Sequence, residues 1–327
     1  MLNYILKRIL FSIPLLFMIA VVSFIIIELP PGDYLTTYIM SLKQSGEAID
    51  QAALEVLRQR YGLDKPVIVR FFYWFGRVLQ GDFGYSFMWE KPVKDLIGAR
   101  LFWTIVVSIL ATVFAWVFGF LIGVYSGTHQ YSIGDYTFTV LGYIGLATPN
   151  FLLALILLWL VFTTFGISLG GLFSPEYANA PWSWAKFVDL LKHIWIPVIV
   201  IGTGNMAGLI RILRANLLDE LNKPYVMAAK AKGVPERELV WKYPLRVAVI
   251  PFAATAGWAL PEIVSGAVVT GIVLNLPTVG TLLLDALMSQ DMYLAGSLVM
   301  FLSVFTIIGT LISDILLAWL DPRIRFE

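Results

Sequence analysis

Very few side chains in this sequence are equipped for bond chemistry. His129 and His193 are its two histidines, 64 positions apart, so they form no metal-ligand pair at helical or turn spacing. There is no cysteine, which removes disulfides, thiolate metal sites and cysteine nucleophiles. The phosphate-binding pattern Gly-x4-Gly-Lys-Ser/Thr, the His-Glu-x2-His zinc pattern and the Gly-x-Ser-x-Gly elbow are all missing. Any work driven by nucleotide hydrolysis has to come from another polypeptide. Two features remain: an acid, Glu262, inside an apolar stretch behind Pro261, and a polar segment of mixed charge over residues 215–245.

That segment contains Asn222-Lys223-Pro224-Tyr225-Val226-Met227-Ala228-Ala229-Lys230-Ala231-Lys232-Gly233-Val234-Pro235-Glu236-Arg237. Pro224 and Pro235 each suit a first helical turn, and Gly233 suits a left-handed helix end. The spacing predicts a short helix, a sharp turn and a second short helix. Small residues at Ala228, Ala229 and Ala231 permit close backbone approach, and Lys230, Lys232 and Arg237 add charge at the edges. Such a projection suits insertion into a groove on a partner, or folding back on its own helices.

The elements that carry these features are apolar. Hydrophobic residues make up 59% of the 327 residues and charged ones 14%, against roughly 25% charged in soluble domains. Mean hydropathy is +0.80. A net charge of +1 without a basic tail argues against nucleic-acid binding. Apolar runs long enough to cross about 30 Å of hydrocarbon predict an all-α integral membrane protein. Six spans are expected: Ile9–Ile27, Leu101–Ser126, Tyr136 to about Gly166 with a kink near Pro149, Ile194–Ile210, Val247–Leu274 and Tyr293–Leu320. Residues 1–30 then hold the first span, 31–100 an outer cap, and 101–327 a five-helix core. Within the cap, Ile49, Ala52, Ala53, Val56 and Leu57 predict an amphipathic helix stopped by Gly62, and Arg70 to Phe75 an aromatic stretch for the headgroup layer.

Twelve lysines and arginines, including Lys7, Arg8, Arg211, Arg214 and those of the 215–245 segment, fall on one side of these spans. The short outer loops are left with Lys186 and Lys192. Both termini are therefore expected in the cytoplasm. Glu262 then lies near the middle of the fifth span, where an ionisable group is costly and is expected either to face a pathway or to bond a neighbour such as Asn205. Asp314 is expected to partner Arg211, Arg214 or another subunit. A self-sufficient secondary transporter or channel would need more intramembrane acids or an inverted repeat, and an intramembrane enzyme would need a second catalytic group beside Glu262.

The Met227-Ala228-Ala229…Gly233 stretch resembles the coupling loop of importer-type ATP-binding-cassette permeases, with Met227 where that motif has glutamate. Over nearly the whole chain the sequence is similar to the dipeptide/oligopeptide/nickel permease family, first-subunit type. The likeness is carried by Tyr4-Ile5-Leu6-Lys7-Arg8, Pro31-Gly32-Asp33, Tyr61-Gly62-Leu63-Asp64-Lys65-Pro66, Gly81-Asp82-Phe83-Gly84-Tyr85-Ser86, Lys91-Pro92-Val93, Ile250-Pro251, Leu276-Pro277…Gly280 and Leu320-Asp321-Pro322-Arg323-Ile324-Arg325. The resemblance implies the importer-permease fold and a complex with a second permease subunit, two ATPase subunits and an extracytoplasmic binding protein. ATP and Mg would be bound by the partners, with no cofactor in this chain. Tyr225, Ala228, Ala229, Lys232, Gly233 and Arg237 would dock on the ATPase. Di- or oligopeptides are the expected cargo, with oligosaccharides as the alternative. Nickel is not favoured, because no His or Met cluster offers ligands.

Overall fold

The computed structural model describes residues 2–28, 65–86, 88–255 and 268–320. In chain order these form α1 (Leu2–Glu28), α2 (Val67–Leu79), the antiparallel hairpin β1 (Tyr85–Ser86) and β2 (Lys91–Pro92), α3 (Val93–Thr128), α4 (Ile133–Ala147), α5 (Asn150–Phe165), α6 (Pro175–Ala178), α7 (Trp184–Leu221), α8 (Pro224–Ala231), α9 (Glu236–Lys242), α10 (Pro244–Ala254), α11 (Val268–Val273), α12 (Val279–Met288) and α13 (Met292–Leu320). The expected amphipathic helix near residues 49–62, Glu262 and the middle of the fifth span lie outside the described residues. Among those described, α1, α3, α7 and α13 are long and apolar enough to cross a membrane, and α4 with α5 forms a bent pair that passes the same test.

The chain divides into two compact units. One comprises residues 6–102 and 279–307. There Ala20, Phe24 and Ile27 of α1 pack with Phe71, Trp74 and Val78 of α2 and with Tyr293 and Met300 of α13. The aromatic stretch expected at the headgroup layer thus sends Phe71 and Trp74 into a core, and Arg70 holds Glu28 at 2.7 Å. A second core joins Val93 and Ile97 to Leu282 and Ala286 of α12 and to Leu294 and Leu298 of α13. The hairpin is pinned by Ser86 Oγ, which donates to Asp291 Oδ2 at 2.6 Å.

The other unit holds residues 103–278 with the chain ends 1–5 and 308–327. Its organising contact is a glycine ridge. Gly119, Gly123 and Gly127 recur every four residues on α3 and face Leu209, Leu213 and Leu217 on α7. A Cβ added at these glycines would lie 2.9, 3.0 and 2.8 Å from the facing leucine atoms, so no other residue fits without displacement. In a membrane, where lipid tails are as apolar as leucine, such close packing is what holds helices together. Because the matches advance together along both chains, α3 and α7 run parallel.

Two parallel helices require the intervening chain to return. Asp135, Gly142 and Gly145 of α4 meet Arg214, Ala207 and Thr203 of α7, and Asn150 of α5 meets Gly204, so the pair advances against α7. Ala154 and Val161 then share a core with Val200, Ile196 and Ile194. α4 and α5, where the sequence predicts one kinked span, are bent by 106° at Thr148-Pro149, far beyond an ordinary proline kink.

α7 begins at Trp184, ten residues before the expected Ile194, so Lys186 and Lys192 lie in its first turns and not in an outer loop. These polar residues are accommodated by the loop before them. Lys186 Nζ donates to Ala180 O at 2.7 Å, and Asp189 accepts from the Ser174 hydroxyl at 2.7 Å and its backbone N–H at 2.8 Å.

Candidate functional site

The segment after α7 folds as the spacing predicts. Pro224 stands in the first turn of α8 and Pro235 caps α9. Between them Gly233 has φ +80°, a left-handed conformation that residues with a side chain rarely adopt. Its N–H donates to Lys230 O at 3.0 Å and that of Val234 to Ala229 O at 3.4 Å. This is the double hydrogen bond of a Schellman turn, which satisfies the carbonyls left open at the end of α8. Val234, the residue after the glycine, packs on a small core of Val226, Ala229 and Leu239. The turn is closed locally and sealed by its own hydrophobic contact.

Helical spacing sorts the six residues expected at this site. Tyr225, Ala228 and Lys232 fall at i, i+3 and i+7, on one exposed face. Ala229 points the other way and is 7% exposed, buried between the two helices. It builds the frame and not the surface. Gly233 makes the turn. Arg237 lines a cleft of about 520 Å³ together with Met227, Lys230, Trp241 and the end of α3 at Thr128 and His129. Tyr225 is fixed from below: its hydroxyl donates to Glu220 Oε2 at 2.6 Å. Desolvation of the phenol, then the Glu220 carboxylate beside it, push its pKa up to about 12, so it remains a neutral donor at neutral pH. Lys230 and Glu236 join the two helices at 3.3 Å, an exposed pair that contributes little.

The projection stands on a rigid base. Arg214 donates through Nε and Nη2 to both oxygens of Asp135, at 2.9 and 2.8 Å. Asp135 also accepts from the Tyr131 N–H, and Ser132 caps α4 by accepting from the Asp135 N–H. Arg214, one of three partners expected for Asp314, is taken by Asp135 instead. The pairing of Asp135 was not anticipated; the signal available was an acid three residues after a serine at the head of an apolar helix, an N-cap pattern. Asn205 is half-buried on α7, four residues before Leu209 of the glycine ridge. Glu262 lies outside the described residues, so its relation to Asn205 is not part of this geometry. No group of three or more His, Cys, Asp or Glu residues is placed to hold a metal among the described residues.

Helices fit to cross a membrane and a helix-turn-helix stiffened for contact define a multi-pass membrane protein built to work with partners. Residues 119–326 match the family described as "binding-protein-dependent transport system inner membrane component", and residues 1–109 match its N-terminal companion. The chain belongs to this family. It is 36% identical over 325 residues to the oligopeptide transport system permease protein AppB of Bacillus subtilis, covering 99% of each chain. A putative peptide permease protein of Brucella ovis is 32% identical over 331 residues, again 99% of each. The glutathione transport system permease protein GsiC of Escherichia coli is 30% identical over the full length of both. A transporter or channel working alone is set aside by this membership.

Proposed function

We propose that this chain is a permease subunit of an ATP-driven importer that carries di- or oligopeptides inward by alternating access. The observation that carries the reading is the Schellman-closed projection α8–α9, whose face of Tyr225, Ala228 and Lys232 is free to dock while its inner face is spent on its own core. That face meets an ATPase subunit, and ATP and Mg are held there, so the chain itself catalyses no reaction. A second permease subunit, a second ATPase and an extracytoplasmic binding protein complete the assembly. Six spans, the fifth expected over residues 247–274, leave both termini in the cytoplasm, and residues 31–100 lie on the outer side. Glu262 faces the pathway, and Asn205 on α7 is assigned to it as well. The names of the relatives favour peptides over oligosaccharides.

The test is affinity purification of the tagged chain from its native membrane, then reconstitution of whatever is retained. Retention of ATPase and second permease subunits, with uptake of labelled peptides dependent on ATP and a binding protein, is the expected result. Recovery of the chain alone at good yield would sink the assignment. Uptake of oligosaccharides in place of peptides would correct the cargo and leave the machinery standing.

A further inference from the structure

We propose that the groove between α4 and α7 seats an anionic phospholipid, with its phosphate on Arg211 and an acyl chain along the helix seam. The groove holds about 80 Å³ and is lined by Phe138, Gly142 and Leu146 of α4 and by Ala207 and Ile210 of α7, with Arg211 and Arg214 also on its lining. Its floor is low because the smallest side chains meet there: a Cβ at Gly142 would stand 3.8 Å from that of Ala207. Leu146 and Tyr143 are more than half exposed, so the groove opens sideways, toward lipid, along the flank of two spanning helices.

The two arginines have different states. Arg214 is committed to Asp135 through both of its hydrogen bonds. Arg211, one turn earlier, is exposed and forms no ion pair with a carboxylate among the described residues. A guanidinium where the apolar run of a helix gives way to polar residues favours an anion, and a phosphate accepts its forked hydrogen bonds well. An apolar trough ending in one cation without a carboxylate partner among the described residues matches the layout of an anionic lipid, which carries a chain and a phosphate in the same order. Free phosphate would satisfy the cation and leave the trough uncovered. On the orientation proposed above this end of α7 faces the cytoplasm, where basic pockets between spanning helices meet anionic headgroups.

The test uses the full-length chain in mild detergent, stripped of lipid and reloaded with equal phosphatidylglycerol and phosphatidylcholine. The ratio of the two lipids bound is read by native mass spectrometry. Wild type should retain more phosphatidylglycerol, and Arg211→Gln should lower the ratio about fivefold, the value of one cation at a membrane surface. Arg211→Lys should keep most of the preference, and Gly142→Leu, which fills the floor, should lower binding of both lipids. An unchanged ratio in Arg211→Gln would overturn the proposal, as would displacement of phosphatidylglycerol by an equal concentration of inorganic phosphate. Because the chain has no cysteine, Tyr143→Cys offers a single cross-linking point in native membranes. A protein adduct there would mean that another chain, not lipid, occupies the groove. The lipid ratio is read without transport, so failure of the importer assignment would leave this result interpretable.

Discussion

Gly233 offers a test of the coupling turn in which one physical cause can be isolated. Its φ is +80°, and a Cβ built on it would meet no heavy atom within 4 Å. A substitution there adds no clash, so its whole cost is the left-handed backbone, about 1–2 kcal/mol for an ordinary L-residue. Asparagine tolerates this region better, and β-branched residues tolerate it worse. The opposing stabilisation is small: three buried side chains, Val226, Ala229 and Leu239, hold the two short helices. About 1.4 kcal/mol is a tenfold change in an equilibrium, so Gly233→Ala should leave about one turn in ten closed where closure is marginal. The expected order of activity is glycine, asparagine, alanine, valine. The assay is peptide-stimulated ATP hydrolysis by the reconstituted complex, with ATPase retention on purification as a second readout. Stimulation should fall several-fold in Gly233→Ala and be abolished in Gly233→Val. Equal activity of alanine and valine with wild type would refute the requirement for positive φ. If asparagine were worse than alanine, side-chain size would be responsible, and the turn geometry would not.

The remaining predictions concern the frame, the docking face and the pathway. Ala228→Trp should leave thermal stability unchanged while reducing ATPase retention, because Ala228 is exposed; Ala229→Leu should instead destabilise the buried contact by about 1–3 kcal/mol through overpacking. Arg214→Gln strips the forked partner from Asp135, whose side chain is 3% exposed, and should cost about 3–5 kcal/mol in unfolding measured in detergent. The double variant Asp135→Asn/Arg214→Gln should cost less than the sum of the single ones, and strict additivity would argue against the pair. Gly123→Val drives a side chain into Leu213 and should destabilise by about 1–3 kcal/mol, with Leu213→Ala restoring part of the loss. Glu262→Gln should alter peptide transport while the complex still assembles; loss of assembly would make Glu262 a structural residue.

The parts of this molecule that could be read from sequence are those whose causes are local. The Schellman turn follows from Pro224, Gly233 and Pro235 within a dozen residues, each restricting φ by its own covalent structure. The cores of α1, α3 and α13 announce themselves through uninterrupted apolar runs, because an unpaired backbone amide is not tolerated in lipid. The start of α7 was hidden for the opposite reason. Lys186, Asp189 and His193 look like loop residues until Ala180 and Ser174 of the folded loop satisfy the first two and the Asp189 carbonyl, one turn back in α7, meets the histidine. Pro149 marks a break, but the bend of 106° depends on where α7 sits. The division of labour between Ala228 and Ala229 depends on Leu239 in the next helix, and Arg214 finds its acid 79 positions away. The glycine ridge falls between these cases. Its four-residue spacing was visible on α3, and the facing leucines repeat at the same interval on α7, yet neither stripe names its partner. Only the match of the two intervals, in the same chain direction, makes α3 and α7 parallel, and the chain between them must therefore return along α7, as Asp135, Gly142 and Gly145 of α4 do.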